Sequence, residues 1–152
     1  MRLIFSTALL ALAIGMAVWR GGGPERSFAA ILAAMFSLDR IGHLASGESG
    51  QSIEQMHAVL DLAALGAMAT VMLAAPRLWP IWACSLQLLS AVAHWARPLG
   101  ERVPEIAVRI LATAPFLLIC LTLILAVAAH RLRLKRRGFD PSWRRWSRRP
   151  TM

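Results

Sequence analysis

Apolar runs of about the length of a bilayer crossing recur along the whole of this 152-residue chain. Hydrophobic residues make up 57% of the sequence, and the mean hydropathy is +0.55. A soluble domain of this size needs a polar surface, which this composition does not supply. Because an apolar helix of about 20 residues crosses the hydrocarbon core of a bilayer, the sequence predicts an all-α integral membrane protein.

Five transmembrane helices account for the apolar runs and for the residues that separate them. Pro24, Pro80 and Pro104 stand where a helix begins, a position at which the missing N–H costs nothing. The connections are only a few residues long, so we expect an antiparallel bundle of sequential neighbours. The predicted spans are residues 3–19, 24–45, 52–75, 80–96 and 104–130. The continuous apolar run of the second span, Phe28 to Leu38, is short for a crossing.

A strongly basic segment, residues 131–152, follows the fifth span. It contains nine Lys or Arg residues and one acid, Asp140, so it carries +8 of the formal net charge of +9. Basic segments beside a membrane helix stay on the cytoplasmic side and bind anionic lipid headgroups. We therefore expect a cytoplasmic tail, an external N-terminus, a bacterial-type inner membrane and no nucleic-acid partner. The residues expected to contact headgroups are Trp143, Arg144, Arg145 and Trp146.

Histidine and aspartate recur in the half of the predicted bundle that faces outward. Asp39 and His43 are four residues apart before the connection between the second and third spans, and His57 and Asp61 are four apart after it. Residues with this spacing share a helix face. With the apex of the connection at residue 50, the two histidines are equidistant from it, as are the two aspartates. The pattern predicts an imidazole layer with a carboxylate layer about 6 Å deeper.

The fourth and fifth spans carry polar residues at matching depth. His94 and Arg109 are equidistant from the centre of their connection, and Ser90 and Thr113 lie about one turn deeper. A charge that faced lipid at this depth would cost about 2.5–3.5 kcal/mol, so we expect these groups to face the interior. The first span offers only two hydroxyl residues and is expected to be peripheral.

Imidazoles with carboxylates nearby are typical ligands of a transition-metal ion such as Zn, Cu or Fe. The predicted ligands are His43, His57 and His94. Asp39 and Asp61 are predicted to bind the ion directly or to accept the second N–H of a ligating histidine. An enzyme built on this site would need an open coordination position on the ion, and the sequence names no substrate.

A haem b clamped between His94 and either His43 or His57 is the alternative cofactor. Arg109 or Arg40 would then bind a propionate or another anion. Arg40 lies about 100° around the helix from Asp39, so its partner is expected on another helix.

Two functions without a cofactor fit the same residues. The polar layer can be purely structural, in which case the chain is an accessory or assembly subunit of a larger membrane complex, or forms a homo-oligomer. Aspartates and histidines inside a membrane also form proton relays, although the inner half of this bundle offers few polar residues besides Gln87. Cys84 and Cys120 stand alone in apolar runs and indicate core packing, and His130 is expected at the membrane interface.

Overall fold

The computed structural model of the protein describes residues 2–46, 50–96 and 105–143. In these residues the chain forms five helices and no strand, which confirms the all-α prediction. The helices are α1 (Arg2–Arg20), α2 (Gly23–Ser46), α3 (Gly50–Ala74), α4 (Trp79–Ala96) and α5 (Glu105–Arg137). Each helix packs against the next, and α5 packs against α1, so the five helices close into a ring. Because the connections are short, consecutive helices run antiparallel.

Among the described residues, three helices are long and apolar enough to cross a membrane. The qualifying segments are Gly23–Ala45 in α2, Gln55–Ala74 in α3 and Thr113–Arg137 in α5, whereas the apolar part of α1, Ile4–Arg20, is shorter. The second predicted span, despite its short apolar run, is one uninterrupted helix of sufficient length.

Helix α1 is not peripheral, and that prediction is wrong. It contacts both α2 and α5, and its Leu10, Ala13 and Ala17 are buried. The two alanines have small side chains, which let neighbouring helices approach closely.

The largest difference from the predicted boundaries is at the end of α5, which continues to Arg137, seven residues beyond the predicted end. Arg, Leu and Lys are good helix formers, so the basic segment begins as helix. The helix stops at Gly138, whose φ of 69° is readily adopted only by glycine and whose N–H donates to the carbonyl of Leu134 at 2.9 Å.

An apolar core fills the middle of the ring. Its largest fully buried apolar side chains are Phe28, Leu32, Met68, Ile119 and Leu123. Cys84 and Cys120 are free thiols buried in the same core, as predicted. Polar side chains gather above and below it, at what we call the α2–α3 end and the α3–α4 end of the bundle, after the connections located there.

Candidate functional site

Asp39 and His43 on α2 meet His57 on α3 at the α2–α3 end. Oδ1 of Asp39 lies 2.9 Å from Nε2 of His57 and 3.6 Å from Nε2 of His43, and the two Nε2 atoms are 3.2 Å apart. We call Asp39, His43 and His57 the histidine group. Its three donor atoms lie close enough together to hold one metal ion.

The register between α2 and α3 explains why a carboxylate meets an imidazole. Because α2 ends at Ser46 and α3 begins at Gly50, the centre of the connection is residue 48, not residue 50. Asp39 and His57 are each nine residues from that centre, so they lie at one depth. The predicted separation into an imidazole layer and a deeper carboxylate layer is therefore wrong for this pair.

Arg40 binds the second oxygen of Asp39. Its Nε and Nη2 atoms lie 3.1 and 2.7 Å from Oδ2, which leaves Oδ1 to the histidines. The expectation of a partner on another helix is wrong, because the long arginine side chain reaches back around α2 to its neighbour. The guanidinium also lies over Phe36, with Cζ 5.5 Å from the ring centroid. The side chain of Arg109, the other predicted anion partner, lies outside the described residues.

His94, the third predicted ligand, contacts Asp61 instead of joining the histidine group. Nε2 of His94 lies 3.1 Å from Oδ2 of Asp61, and the hydroxyl of Ser90 donates to the same oxygen at 2.8 Å. The amide of Gln87 donates to Oδ1 at 2.9 Å. These four residues form what we call the Asp61 network. The three α4 side chains replace the hydrogen bonds to water that the Asp61 carboxylate loses on burial.

A cavity of about 430 Å³ connects the histidine group with the Asp61 network. The exposed fraction of the side chain falls from 38% at His43 to 13% at His94 and 6% at Asp61, so the histidine group lies at the mouth and Asp61 at the floor. The cavity wall includes Ser6 and Thr7 from α1. The predicted meeting of polar side chains in one pocket is therefore observed for the described residues, with α1 as an additional contributor.

The spacing of the donor atoms in the histidine group suits a small ion. Ligands bound tetrahedrally at 2.0–2.1 Å lie about 3.3 Å from one another, and the separations here are 2.9, 3.2 and 3.6 Å. Three protein ligands leave an open coordination position, and two histidines with one carboxylate also suit non-haem Fe(II).

The same side chains are less well arranged for haem. Two axial imidazole nitrogens flank an iron at a separation of about 4 Å with the porphyrin between them. The Nε2 atoms of His43 and His57 are closer than that, and Nε2 of His94 is directed at Asp61.

A second polar cluster, which the sequence did not predict, lies at the α3–α4 end. Arg77, between α3 and α4, pairs with Glu25 of α2, and its Nη2 lies 2.9 Å from Oδ2 of Asp140. Asp140 also lies 2.5 Å from Nδ1 of His130 and 3.2 Å from Nε of Arg133. We call these five residues the ion-pair cluster. His130, expected at the interface, is buried within it.

Asp140 is held in its ionised form by this cluster. Burial alone would raise the pKa of its carboxyl group, but the hydrogen bond with His130 and the charges of Arg77 and Arg133 outweigh burial and lower the pKa below its ordinary value of 3.8. A single acid among nine basic residues is the sequence signal that could have indicated this pairing.

Residues 138–143, which follow α5, fold back onto the bundle. The N–H of Gly23 donates to Oγ of Ser142 at 3.3 Å, and the indole of Trp143 fills the space that a side chain at position 23 would need. Trp143 is 42% exposed, whereas Arg144, Arg145 and Trp146, the other predicted headgroup contacts, lie outside the described residues.

Comparisons of the chain with protein-family models, curated proteins and solved structures found no match. Support for a function therefore comes from the chemistry of the described side chains.

Proposed function

We propose that this chain is an integral protein of a bacterial-type inner membrane that binds a divalent transition-metal ion, Zn²⁺, Cu²⁺ or Fe²⁺, through Asp39, His43 and His57. The observation that carries the proposal is the approach of one carboxylate oxygen and two imidazole nitrogens within 3.6 Å of one another at the wall of a cavity. One cation at their centre would give all three atoms a partner at once.

The exterior of the bundle supports the membrane location. Large apolar side chains are widely exposed on it, and a patch of this extent is unfavourable in water but is matched by lipid. Examples are Ile4, Leu12, Val59, Leu73, Leu88 and Leu125. The last turn of α5 carries Lys135, Arg136 and Arg137, which favours a cytoplasmic α3–α4 end and therefore an external histidine group.

Arg40 and the Asp61 network would support the ion indirectly. Arg40 fixes the Asp39 carboxylate through Oδ2, so Oδ1 is the oxygen that faces the histidines. The contacts of Asp61 with α4 hold α3, and with it His57, in position. Second contacts of this kind orient metal ligands in proteins and commonly change metal affinity by 10–100-fold.

A proton relay across the membrane has less support. Gln87, the deepest member of the Asp61 network, lies eight residues into α4 from Trp79, or about 12 Å along the helix, and Arg77 precedes that helix at the other end. The fully buried Phe28, Leu32 and Met68 belong to the apolar core between the two ends, where they offer a proton no carrier.

Elemental analysis of the purified protein tests the proposal. After incubation with Zn²⁺ and removal of the excess, wild-type protein is expected to retain about one ion per chain, and His43→Ala or His57→Ala to retain almost none. His94→Ala is the matched comparison: it removes an imidazole of the same cavity that contacts Asp61 and is only a supporting residue, so this variant should retain far more Zn²⁺ than His43→Ala or His57→Ala. Far-ultraviolet circular dichroism confirms that each variant is helical.

Wild-type protein that binds no ion would instead support the purely structural polar layer of an accessory or assembly subunit. Retention of the ion by His57→Ala would also contradict the proposal. Loss in His94→Ala, with retention in His43→Ala, would move the site to the Asp61 network.

A further inference from the structure

With an ion bound, the histidine group would carry surplus positive charge. Asp39 contributes −1, Arg40 contributes +1 and neutral imidazoles contribute nothing, so a divalent ion brings the local sum to +2. The other carboxylate of the cavity, Asp61, contributes −1, so the sum over these charged residues and the ion is +1. Its own hydrogen bonds are with Gln87, Ser90 and His94 on α4. Unbalanced charge is costly in a medium of low dielectric constant, so an anion on the open coordination position would be stabilised.

Much of the remaining cavity wall is apolar. Met35 and Phe36 of α2, Leu60 of α3 and Phe116 of α5 line it. A volume of about 430 Å³ with an apolar wall and a few polar groups is typical of a site for a small organic molecule. A small inorganic anion would leave these side chains facing water, whereas an alkyl chain would cover them.

We propose that the cavity binds a medium-chain alkyl carboxylate, with a carboxylate oxygen on the open position of the ion and the alkyl chain against Met35, Leu60 and Phe116. This inference rests on the proposed function, because the ion supplies the main contact with the anion. Arg40 lines the same cavity; its guanidinium has five N–H donors, and the contacts with Asp39 use Nε and Nη2. Because the histidine group lies at the mouth, the ligand enters from the aqueous phase at the α2–α3 end.

Co²⁺-loaded protein in lipid nanodiscs provides the test. Co²⁺ accepts the same nitrogen and oxygen ligands as Zn²⁺, and its visible absorption changes when its ligands change. Hexanoate, acetate, hexanol and inorganic phosphate are titrated separately, and bound Co²⁺ is measured in every sample. Each buried methylene is worth about fourfold in affinity, so hexanoate should bind at least about tenfold more tightly than acetate. Hexanol, which lacks the anion, should leave the spectrum unchanged.

Two variants of α5 distinguish the contribution of the apolar wall to ligand binding from that of the ion. Phe116→Trp places a larger ring in the cavity and should abolish the preference for hexanoate over acetate while Co²⁺ stays bound. Leu118→Trp, two residues along on an exposed part of the same helix, should behave as wild type. Leu60→Phe is a second cavity-filling variant, for use if Phe116→Trp does not retain Co²⁺.

The experiment distinguishes failure of the carboxylate inference from failure of the metal site. In Co²⁺-loaded protein, the carboxylate inference is overturned by equal affinity for acetate and hexanoate, by tighter binding of phosphate than of hexanoate, or by an unchanged spectrum, and the metal site survives each result. Wild-type protein that binds no Co²⁺ overturns the metal site and this inference together.

Discussion

The two polar clusters lie at opposite ends of one bundle and differ in how their charges are paired. In the ion-pair cluster, Glu25 and Arg77 are 0% and 5% exposed, and the two acids and two arginines of the cluster balance. In the histidine group, all three side chains are between 22% and 38% exposed and line a cavity. One cluster is buried and charge-balanced, while the other is open and brings three possible ligand atoms within 3.6 Å of one another.

This difference favours a role in folding for the ion-pair cluster, and it underlies the metal-binding role that we propose for the histidine group. The ion-pair cluster is buried and charge-balanced, and it joins α2, the α3–α4 connection, α5 and residues 138–143. An intact buried ion pair adds little net stability, but loss of one partner leaves an uncompensated charge. The histidine group lacks such a buried arrangement, and a cation would complete it.

The largest expected effect is that of Arg77→Leu. This substitution leaves Glu25 and Asp140 without their shared cation, so the free energy of unfolding should fall by about 3–5 kcal/mol. Arg40→Leu is the matched control at the other end: the Arg40 side chain is 45% exposed, so its loss should cost less than about 1 kcal/mol. Unfolding of both variants by denaturant in mixed micelles measures the two losses. Similar losses would remove the distinction between the buried and the open cluster.

The second prediction concerns stabilisation by the ion. At a Zn²⁺ concentration about 100 times the dissociation constant, wild-type protein should gain about 2.7 kcal/mol in unfolding free energy. His57→Ala should gain nothing, because it lacks a ligand. Glu25→Gln, at the other end, should start from lower stability and still gain the full amount. Equal unfolding curves with and without Zn²⁺ in wild-type protein would contradict the metal site.

The part of the site that depends on local geometry was predictable from the sequence. A spacing of four residues fixes a shared helix face, so the pairs Asp39 with His43 and His57 with Asp61 were placed correctly on their helices. The apex of the connection depends on where both helices end, which spacing does not specify. An error of two residues in the apex shifts the register between the two helices by four residues, or about 6 Å. His57, and not Asp61, therefore lies at the depth of Asp39.

The ion-pair cluster depends on contacts that are distant in sequence. Arg77 is 52 residues from Glu25 and 63 from Asp140. No periodic pattern connects such positions, and an arginine in a short connection has the appearance of an ordinary topology signal. Only the packing of α2 and α5 against that connection brings the three residues together.

The third prediction is a pH dependence of the ion-pair cluster. Because the pKa of Asp140 is lower in the folded chain than its ordinary value of 3.8, its carboxylate stabilises the fold above that pH. This contribution is lost as the pH falls below 3.8 through the lower pKa of the folded state. Asp140→Asn removes it, so the difference in unfolding free energy between wild type and variant should shrink over that range. A difference that stays constant from about pH 6 to about pH 3 would contradict the pairing.

The smallest expected effect distinguishes the Asp61 network from ordinary helix hydrogen bonds. Ser90 donates to Oδ2 of Asp61 at 2.8 Å, so Ser90→Ala should cost about 1 kcal/mol. Ser85, on the same helix, donates at 3.0 Å to the carbonyl of Ile81, and Ser85→Ala should cost less than about 0.5 kcal/mol, because a carbonyl oxygen can still accept a backbone N–H.

The Zn²⁺ affinity of the same two variants then shows whether the Asp61 network binds the ion or only supports the histidine group. If the Asp61 network only holds α3 against α4, Ser90→Ala should weaken Zn²⁺ binding by less than about tenfold, the lower end of the effects seen when a supporting contact of a metal ligand is removed. A larger loss, absent in Ser85→Ala, would mean that Asp61 and His94 act on the ion itself. The metal site would then comprise the three residues of the histidine group together with Asp61 and His94. Because Asp61 is as buried as Arg77, the two ends of the bundle would then differ in charge balance and not in burial.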